Sequence, residues 1–329
     1  MRSFSKFLKG HTTASFHWAC AFSFLLPTSH SLLAAELRLG IIGTDSSHVV
    51  EFTRILNDAS ESNHVPGARI VAVYSSSSAD IAPSHDRAPG FEATLRTKWQ
   101  LQFVPTIQQM CPMVDGLLIE TNDGRAHLEQ FRQAAACGKP VFIDKPLAAT
   151  LTDIRKIAQL AKVKNIPWFS ASSLRFGPIQ TLRSPDLTAA FVWGPGPLEP
   201  HHQIDLSWYA IHAAEMLFTL MGPDVEQVTR TYTADADEVT GVWKGGRIGT
   251  FRALRPYGSY GAVTFLPGNK TASLTQIKSG YAPLLQQIVA FMQTRIPPVP
   301  NAETIQLYTF LDAARRSRNH KGAPIRMPK

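Results

Sequence analysis

The chain has 329 residues, 44% of them apolar and 18% charged, with a formal net charge of +8. That length suits two domains, and the composition excludes a disordered, collagen-like or coiled-coil chain. The positive excess is spread out, with no basic run beyond pairs such as Arg315 and Arg316. No nucleic-acid partner is therefore expected, because phosphate-binding surfaces cluster their charge.

Residues 1–35 read as an export signal. Arg2, Lys6 and Lys9 precede a short apolar stretch from Trp18 to Leu26, and Ala34 and Ala35 supply the small residues of a cleavage site. The stretch is far below the roughly 20 residues that cross a bilayer, and no other segment reaches that length, so no membrane span is expected. The expectation is an exported, periplasmic protein, with cytoplasmic residence as the alternative. Three cysteines are too few for a disulfide scaffold; the sequence does not decide whether Cys111 and Cys137 pair, and two lone buried thiols are the default.

Residues 37–43 form a short apolar run ending in glycine, as a buried strand does. Thr44 to Ser47 offer helix caps, with Asp45 expected in that role, and residues 49–56 continue at helical spacing. Residues 69–75 and 115–121 predict two more strands, 126–137 a helix stopped by Gly138, and 140–144 a fourth strand. Strands alternating with helices predict an α/β fold. Its first domain, residues 36–147, is a Rossmann-type doubly wound parallel sheet. Ligands of such sheets lie beyond the carboxyl ends of the strands, which singles out Thr44 to His48, Ser75, Thr121 to His127 and Asp144 to Pro146.

The loop after the first strand is degenerate as a dinucleotide fingerprint, Gly-x-Gly-x-x-Gly. Counted from Gly43, the second glycine position holds Asp45 and the third His48. The second strand ends in Tyr74-Ser75, without an acid for an adenosine ribose. No Arg or Lys adjoins the serines at 75–78 to take a 2′-phosphate, so NAD and NADP are not separated. Lys145, directly before Pro146, ends a buried strand, and proline holds the preceding residue extended. An amine at the ligand edge of the sheet and a surface lysine in a loop fit that spacing equally.

Residues 148–329 predict an α+β second domain. A helix with Asp205 as its cap runs to Met221, where Gly222-Pro223 stops it. Trp208, His212 and Glu215 fall on one face of it. An acid one turn from a buried histidine holds one tautomer, as a general base requires; a core histidine satisfied by Glu215 fits the same pattern. His201 and His202 lack further matched ligands, so no metal site is expected. Residues 225–233, 238–244, 247–254 and 261–266 predict strands of a mixed or antiparallel sheet, with a Gly245-Gly246 hairpin turn. Such a sheet serves as a substrate wall or as the interface of a homo-oligomer.

From Gly138 to Ala148 the chain reads Gly-Lys-Pro-Val-Phe-Ile-Asp-Lys-Pro-Leu-Ala. With His127 and Ala134-Ala135 upstream, this resembles the Gfo/Idh/MocA family of nicotinamide-dependent oxidoreductases. The family pattern runs His, helix, Ala-Ala, Gly-Lys, strand, Glu-Lys-Pro-Leu-Ala, with Asp144 here in place of Glu. Ser173 to Pro178 resembles the family's Arg-Phe-x-Pro turn, and Phe291 to Ser317 its closing helices. The resemblance covers residues 37–318. It implies hydride transfer between NAD or NADP and a small sugar or cyclitol-like alcohol. It also implies catalytic roles for Lys145 and for a helix histidine. The family's Asp-x-Gly-x-His-x-x-Asp is matched by Trp208 to Glu215, keeping His212 and Glu215. The expected cofactor contacts are Gly43, Thr44, Asp45, His48, Ser75, Thr121, Asp144 and Lys145, and the expected substrate contacts are His127, Arg175 and Trp208. Two rival readings fit the same residues. One is redox-neutral glycoside cleavage with tightly held NAD. The other is a non-catalytic sugar-binding or scaffold protein with a degenerate cofactor loop.

Overall fold

The computed structural model describes residues 35–328; all but the last residue of the expected export signal lies outside them. Strands β1 (Leu37–Ile42), β2 (Ala68–Tyr74), β3 (Gln102–Phe103), β4 (Gly116–Ile119), β5 (Val141–Ile143) and β6 (Trp168–Phe169) form one parallel sheet. Their order, β3-β2-β1-β4-β5-β6, is that of a doubly wound dinucleotide-type sheet. Helices α1 (Ser47–Asn57), α2 (Ala82–His85), α3 (Ala88–Thr97), α4 (Ile107–Met110), α5 (His127–Ala135) and α6 (Leu151–Lys164) connect the strands or follow them. Both faces of the sheet are covered, which is why β4 and β5 are apolar and buried throughout.

The second sheet contains β7 (Ala189–Pro195), β8 (Val225–Tyr232), β9 (Ala236–Trp243), β10 (Ile248–Leu254), β11 (Tyr260–Leu266), β12 (Lys270–Ile277) and β13 (Ile325–Arg326). It runs β12-β11-β7-β10-β9-β8-β13 and is mixed, with β7 and β10 parallel and the remaining pairs antiparallel. Gly245 and Gly246, at φ +82° and +80°, make the β9–β10 turn, a conformation glycine adopts without strain. Helix α7 (Ile211–Met221) lies against β7 and β10, and α9 (Asn301–Asn319) against β8.

The chain returns to its first sheet before its last helix. Phe291 of α8 (Ala282–Thr294) meets Phe169 of β6 edge to face. The expected division at 147/148 thus falls inside the parallel sheet, one strand short of its edge. Two other expectations are corrected. Asp205 opens a short 3-10 turn and does not cap α7; its carboxylate takes both ends of the buried Arg230 guanidinium at 2.9 Å, and Arg318 as well. Cys111 and Cys137 are not lone thiols: they form a disulfide that ties the end of α4 to the end of α5.

Candidate active site

The carboxyl ends of β1, β4 and β5 face α7 and the start of α8 across a cavity of about 540 Å³. Ser46, Ser47 and His48 enter it from the start of α1, Asn122 from the loop after β4, and Lys145 from the loop after β5. Trp208, Tyr209 and His212 form the opposite wall with Tyr257 and Tyr260, and Tyr281 closes the side next to His48. Lys145 and His212 therefore face one space. A larger cleft, about 700 Å³, is lined in part by Arg175 and Glu303 and includes neither Lys145 nor His212.

His212 is positioned by Ser172, whose Oγ is 2.7 Å from its Nδ1. Burial, aided by the Lys145 and His48 charges, pushes the imidazole well below its usual range, so it is neutral near pH 7. Among the described residues Nε2 has no partner, and a neutral ring held through Nδ1 can exchange a proton through it. The expected orienting acid is elsewhere. Glu215 pairs with Arg175, and Arg175 also donates to Glu303 at 2.6 Å. Both residues are buried structural charges, so neither the catalytic role of Glu215 nor the substrate role of Arg175 fits their placement. His127 is also structural, its ring clamped between the carbonyls of Thr121 (2.7 Å) and Leu147 (3.2 Å). Trp208 does face the cavity, with the His202 ring behind it.

The lysine loop is anchored from the far end of the chain. Leu147 N–H donates to the buried Tyr308 hydroxyl of α9 at 2.7 Å. Asp144 accepts from His48 Nδ1 at 2.7 Å. Burial raises its carboxyl, but His48 and Lys145 outweigh that and bring it to about 2. Beside it stands Glu120, a residue that sequence reasoning missed. Glu120 is fully buried with both oxygens unpartnered, and burial together with Asp144 raises it well above the usual range. The tyrosines of the wall were also missed, because they come from four separate places, the turn before α7, the β10–β11 loop, the start of β11 and the cap of α8.

The first loop shows both kinship and departure. Gly43 sits at φ +102°, and a Cβ there would come within 2.6 Å of the Thr121 backbone nitrogen, so the tight turn admits only glycine. Ser46, not Asp45, caps α1, accepting from His48 N. Asp45 turns inward, accepting from Ser84 Oγ (2.5 Å) and Asn122 N (3.0 Å), and burial raises its carboxyl against those bonds. Thr44 gives its N–H to Ser76 O and its hydroxyl to Glu92, and the Thr121 hydroxyl is paired with Gln130. Residues 76–87 thus roof the loop, leaving Thr44, Asp45 and Thr121 without exposed surface. Ser75 lies outside the main cavity. It lines a separate cleft with Arg96, a cation from α3 that adjacency in sequence did not bring beside the serines.

Residues 37–170 match the Gfo/Idh/MocA model, described as an oxidoreductase family with an NAD-binding Rossmann fold. This part of the chain is similar to the Gfo/Idh/MocA oxidoreductases. Solved structures of similar fold include the myo-inositol dehydrogenase of Lactobacillus casei in complex with NAD(H) and myo-inositol. It is 17% identical with TM-score 0.69, covering 89% of this chain and 97% of that one. The apo scyllo-inositol dehydrogenase of the same organism is 12% identical with TM-score 0.67, covering 88% and 98%. Myo-inositol 2-dehydrogenase from Lactobacillus plantarum is 13% identical with TM-score 0.68, covering 89% and 100%. At these identities the likeness is one of fold. No curated protein matches the chain in sequence. Among the described residues, no helix is long and apolar enough to cross a membrane.

Proposed function

We propose that the protein is an NAD(P)-dependent oxidoreductase acting on an alcohol of the sugar or cyclitol class. The observation that carries this is the shared cavity of Lys145 and a neutral, Ser172-held His212. A bound nicotinamide supplies hydride acceptance and donation, which side chains alone do not. The Lys145 ammonium polarises the substrate hydroxyl, and His212 accepts its proton through Nε2 or returns it. Trp208, Tyr209, Tyr257 and Tyr260 offer aromatic faces to the C–H faces of a ring-shaped polyol, in a cavity sized for a small ligand. The fold shared with inositol dehydrogenases supports the same substrate class.

The residues fit the nicotinamide–ribose end of the cofactor. His48, Asn122 and Lys145 line that floor, and Gly43 keeps the tight turn. The diphosphate path is roofed, so residues 76–87 must lift to admit a whole dinucleotide. The roof also favours a second reading, in which a nicotinamide stays enclosed and is recycled within redox-neutral glycoside cleavage. The Cys111–Cys137 disulfide supports export, because such bonds persist in oxidising compartments. The exposed edge strand β12 supports self-association through the second sheet.

The test is turnover of a panel of cyclitols and sugars with NAD⁺ or NADP⁺, followed as reduced nicotinamide. Lys145→Ala should lower kcat/KM at least roughly tenfold, about 1.4 kcal/mol. A folded protein that binds neither cofactor, and releases none on denaturation, would refute both readings.

A further inference from the structure

Behind His48, which lines the cavity, the buried Glu120 and Asp144 meet its ring, and no proton or hydride step of the proposed reaction uses these three donors. Glu120 and Asp144 stand one residue past the ends of β4 and β5, where Ile119 and Ile143 are register partners. The two carboxylates are therefore side by side at the ligand edge of the sheet. His48 enters from the first turn of α1, with Nδ1 2.7 Å from Asp144 Oδ2 and 3.8 Å from Glu120 Oε2. One donor atom of each residue lies within 4.8 Å of the other two. Phe52 stacks on the His48 ring and Tyr281 meets it edge-on, which fixes the orientation of the imidazole.

An independent observation points to a ligand. Glu120 has no exposed surface and neither oxygen has a hydrogen-bond partner, although Oε2 is aimed at His48. Lys145 contributes positive charge to this region but makes no hydrogen bond to Glu120. A buried carboxylate is retained when it is paired or when it coordinates a metal.

We propose that His48 Nδ1, Glu120 and Asp144 Oδ2 bind one divalent first-row transition ion, Zn²⁺ foremost. An imidazole with two carboxylates suits zinc or manganese better than calcium or magnesium, which take oxygen donors. Zinc bonds of about 2.0–2.1 Å to these atoms set tetrahedral donors roughly 3.3 Å apart, inside the 2.7 to 4.8 Å span of this cluster. The ion takes the place of the proton now shared by His48 and Asp144. Three protein donors leave a fourth position for water or a substrate oxygen.

The experiment uses the full chain, stripped with chelator and dialysed. Zn²⁺ uptake is followed by calorimetry, with metal content measured after desalting, and Mn²⁺ is run in parallel. One ion per chain is expected, with affinity at least roughly tenfold weaker in Glu120→Gln, which keeps the volume and removes the charge. If that variant does not fold by circular dichroism, His48→Ala takes its place, and the zinc-dependent rise in Tm should be lost. Sub-stoichiometric uptake by the wild type, or affinity unchanged in the variants, overturns the site. So does an infrared carbonyl band of a protonated acid that persists in excess zinc and disappears in Glu120→Gln. NADH binding is measured on the same samples. Cofactor binding without zinc uptake refutes the metal site and leaves the oxidoreductase reading standing; zinc uptake without cofactor binding does the reverse.

Discussion

Ser84 is the place to ask whether the roof over the first loop gates the cofactor. Its hydroxyl is fully buried, donates to Asp45 at 2.5 Å and accepts from Ser78 N–H at 2.7 Å. Ser84→Ala removes both bonds without adding volume. It leaves the Ser78 N–H unpaired and Asp45 with one donor fewer. A neutral bond of this kind is worth about 1 kcal/mol and one to a charged group about 1.5–3 kcal/mol, so the roof should lose roughly 2.5–4 kcal/mol. If a dinucleotide enters only when residues 76–87 lift, the apparent affinity is the intrinsic one reduced by the open fraction. The same energy then returns as binding. At 1.4 kcal/mol per tenfold, NADH or NADPH should bind at most about 60- to 700-fold more tightly, while the urea midpoint falls. Fluorescence titration and equilibrium unfolding on the same preparation measure both sides. A variant that loses the stability but binds nicotinamide no better than wild type shows that the roof lies outside the cofactor path.

Three further outcomes are expected. Ser172→Ala frees the His212 ring and should lower kcat at least about tenfold with little change in KM; a change confined to KM would assign Ser172 to substrate binding. Reducing Cys111–Cys137, which closes a loop across a separation of 26 residues, should cost roughly 3 kcal/mol by loop entropy, read as a lower unfolding midpoint with dithiothreitol. Asp123 is raised by burial but held down to about 2 by Arg125 and Ser78. Because its folded value lies below the unfolded 3.8, its contribution of roughly 2 kcal/mol is complete above that value. It should be lost as pH falls from about 4 toward 2, and Asp123→Asn should flatten that part of the stability profile.

The strands that carry the site were legible because both of their faces are buried, which writes a continuous apolar run ending where the chemistry begins. Lys145 and Gly43 could be placed for the same reason. β12 could not, because its side chains are nearly all exposed and no burial pattern marks it. β7 ends in Gly194-Pro195, which reads as a turn although those residues still pair with β10. The role of Asp45 was misread because local spacing favours a cap, whereas its partners Ser84 and Asn122 lie 39 and 77 residues away. Glu120 gave no signal of its own. An acid after a strand usually meets solvent, and only the packing of His48 and Asp144 around it makes it a buried charge.

The helix histidine shows how a sequence pattern can survive while its physics changes. Glu215 sits one turn from His212, yet with Arg175 and Glu303 it forms a buried charge cluster. That cluster ties α7 to the residues after β6 and to α9. Removing Glu215 would leave the buried Arg175 with Glu303 alone, so Glu215 has a role in that cluster whatever the histidine does. The ring is then left to Ser172, whose hydroxyl both donates and accepts. A carboxylate would hold a proton on Nδ1 and keep Nε2 as a base. Serine permits the other tautomer as well, with Nε2 carrying the proton. A site that oxidises an alcohol needs the first form, whose Nε2 takes the proton to give imidazolium, and ketone reduction runs the same step backwards from that imidazolium. Net hydride transfer in both directions, or internal recycling of a held nicotinamide, passes through the neutral Nδ1–H ring and its imidazolium in turn, and the Ser172 oxygen can accept from Nδ1–H in both.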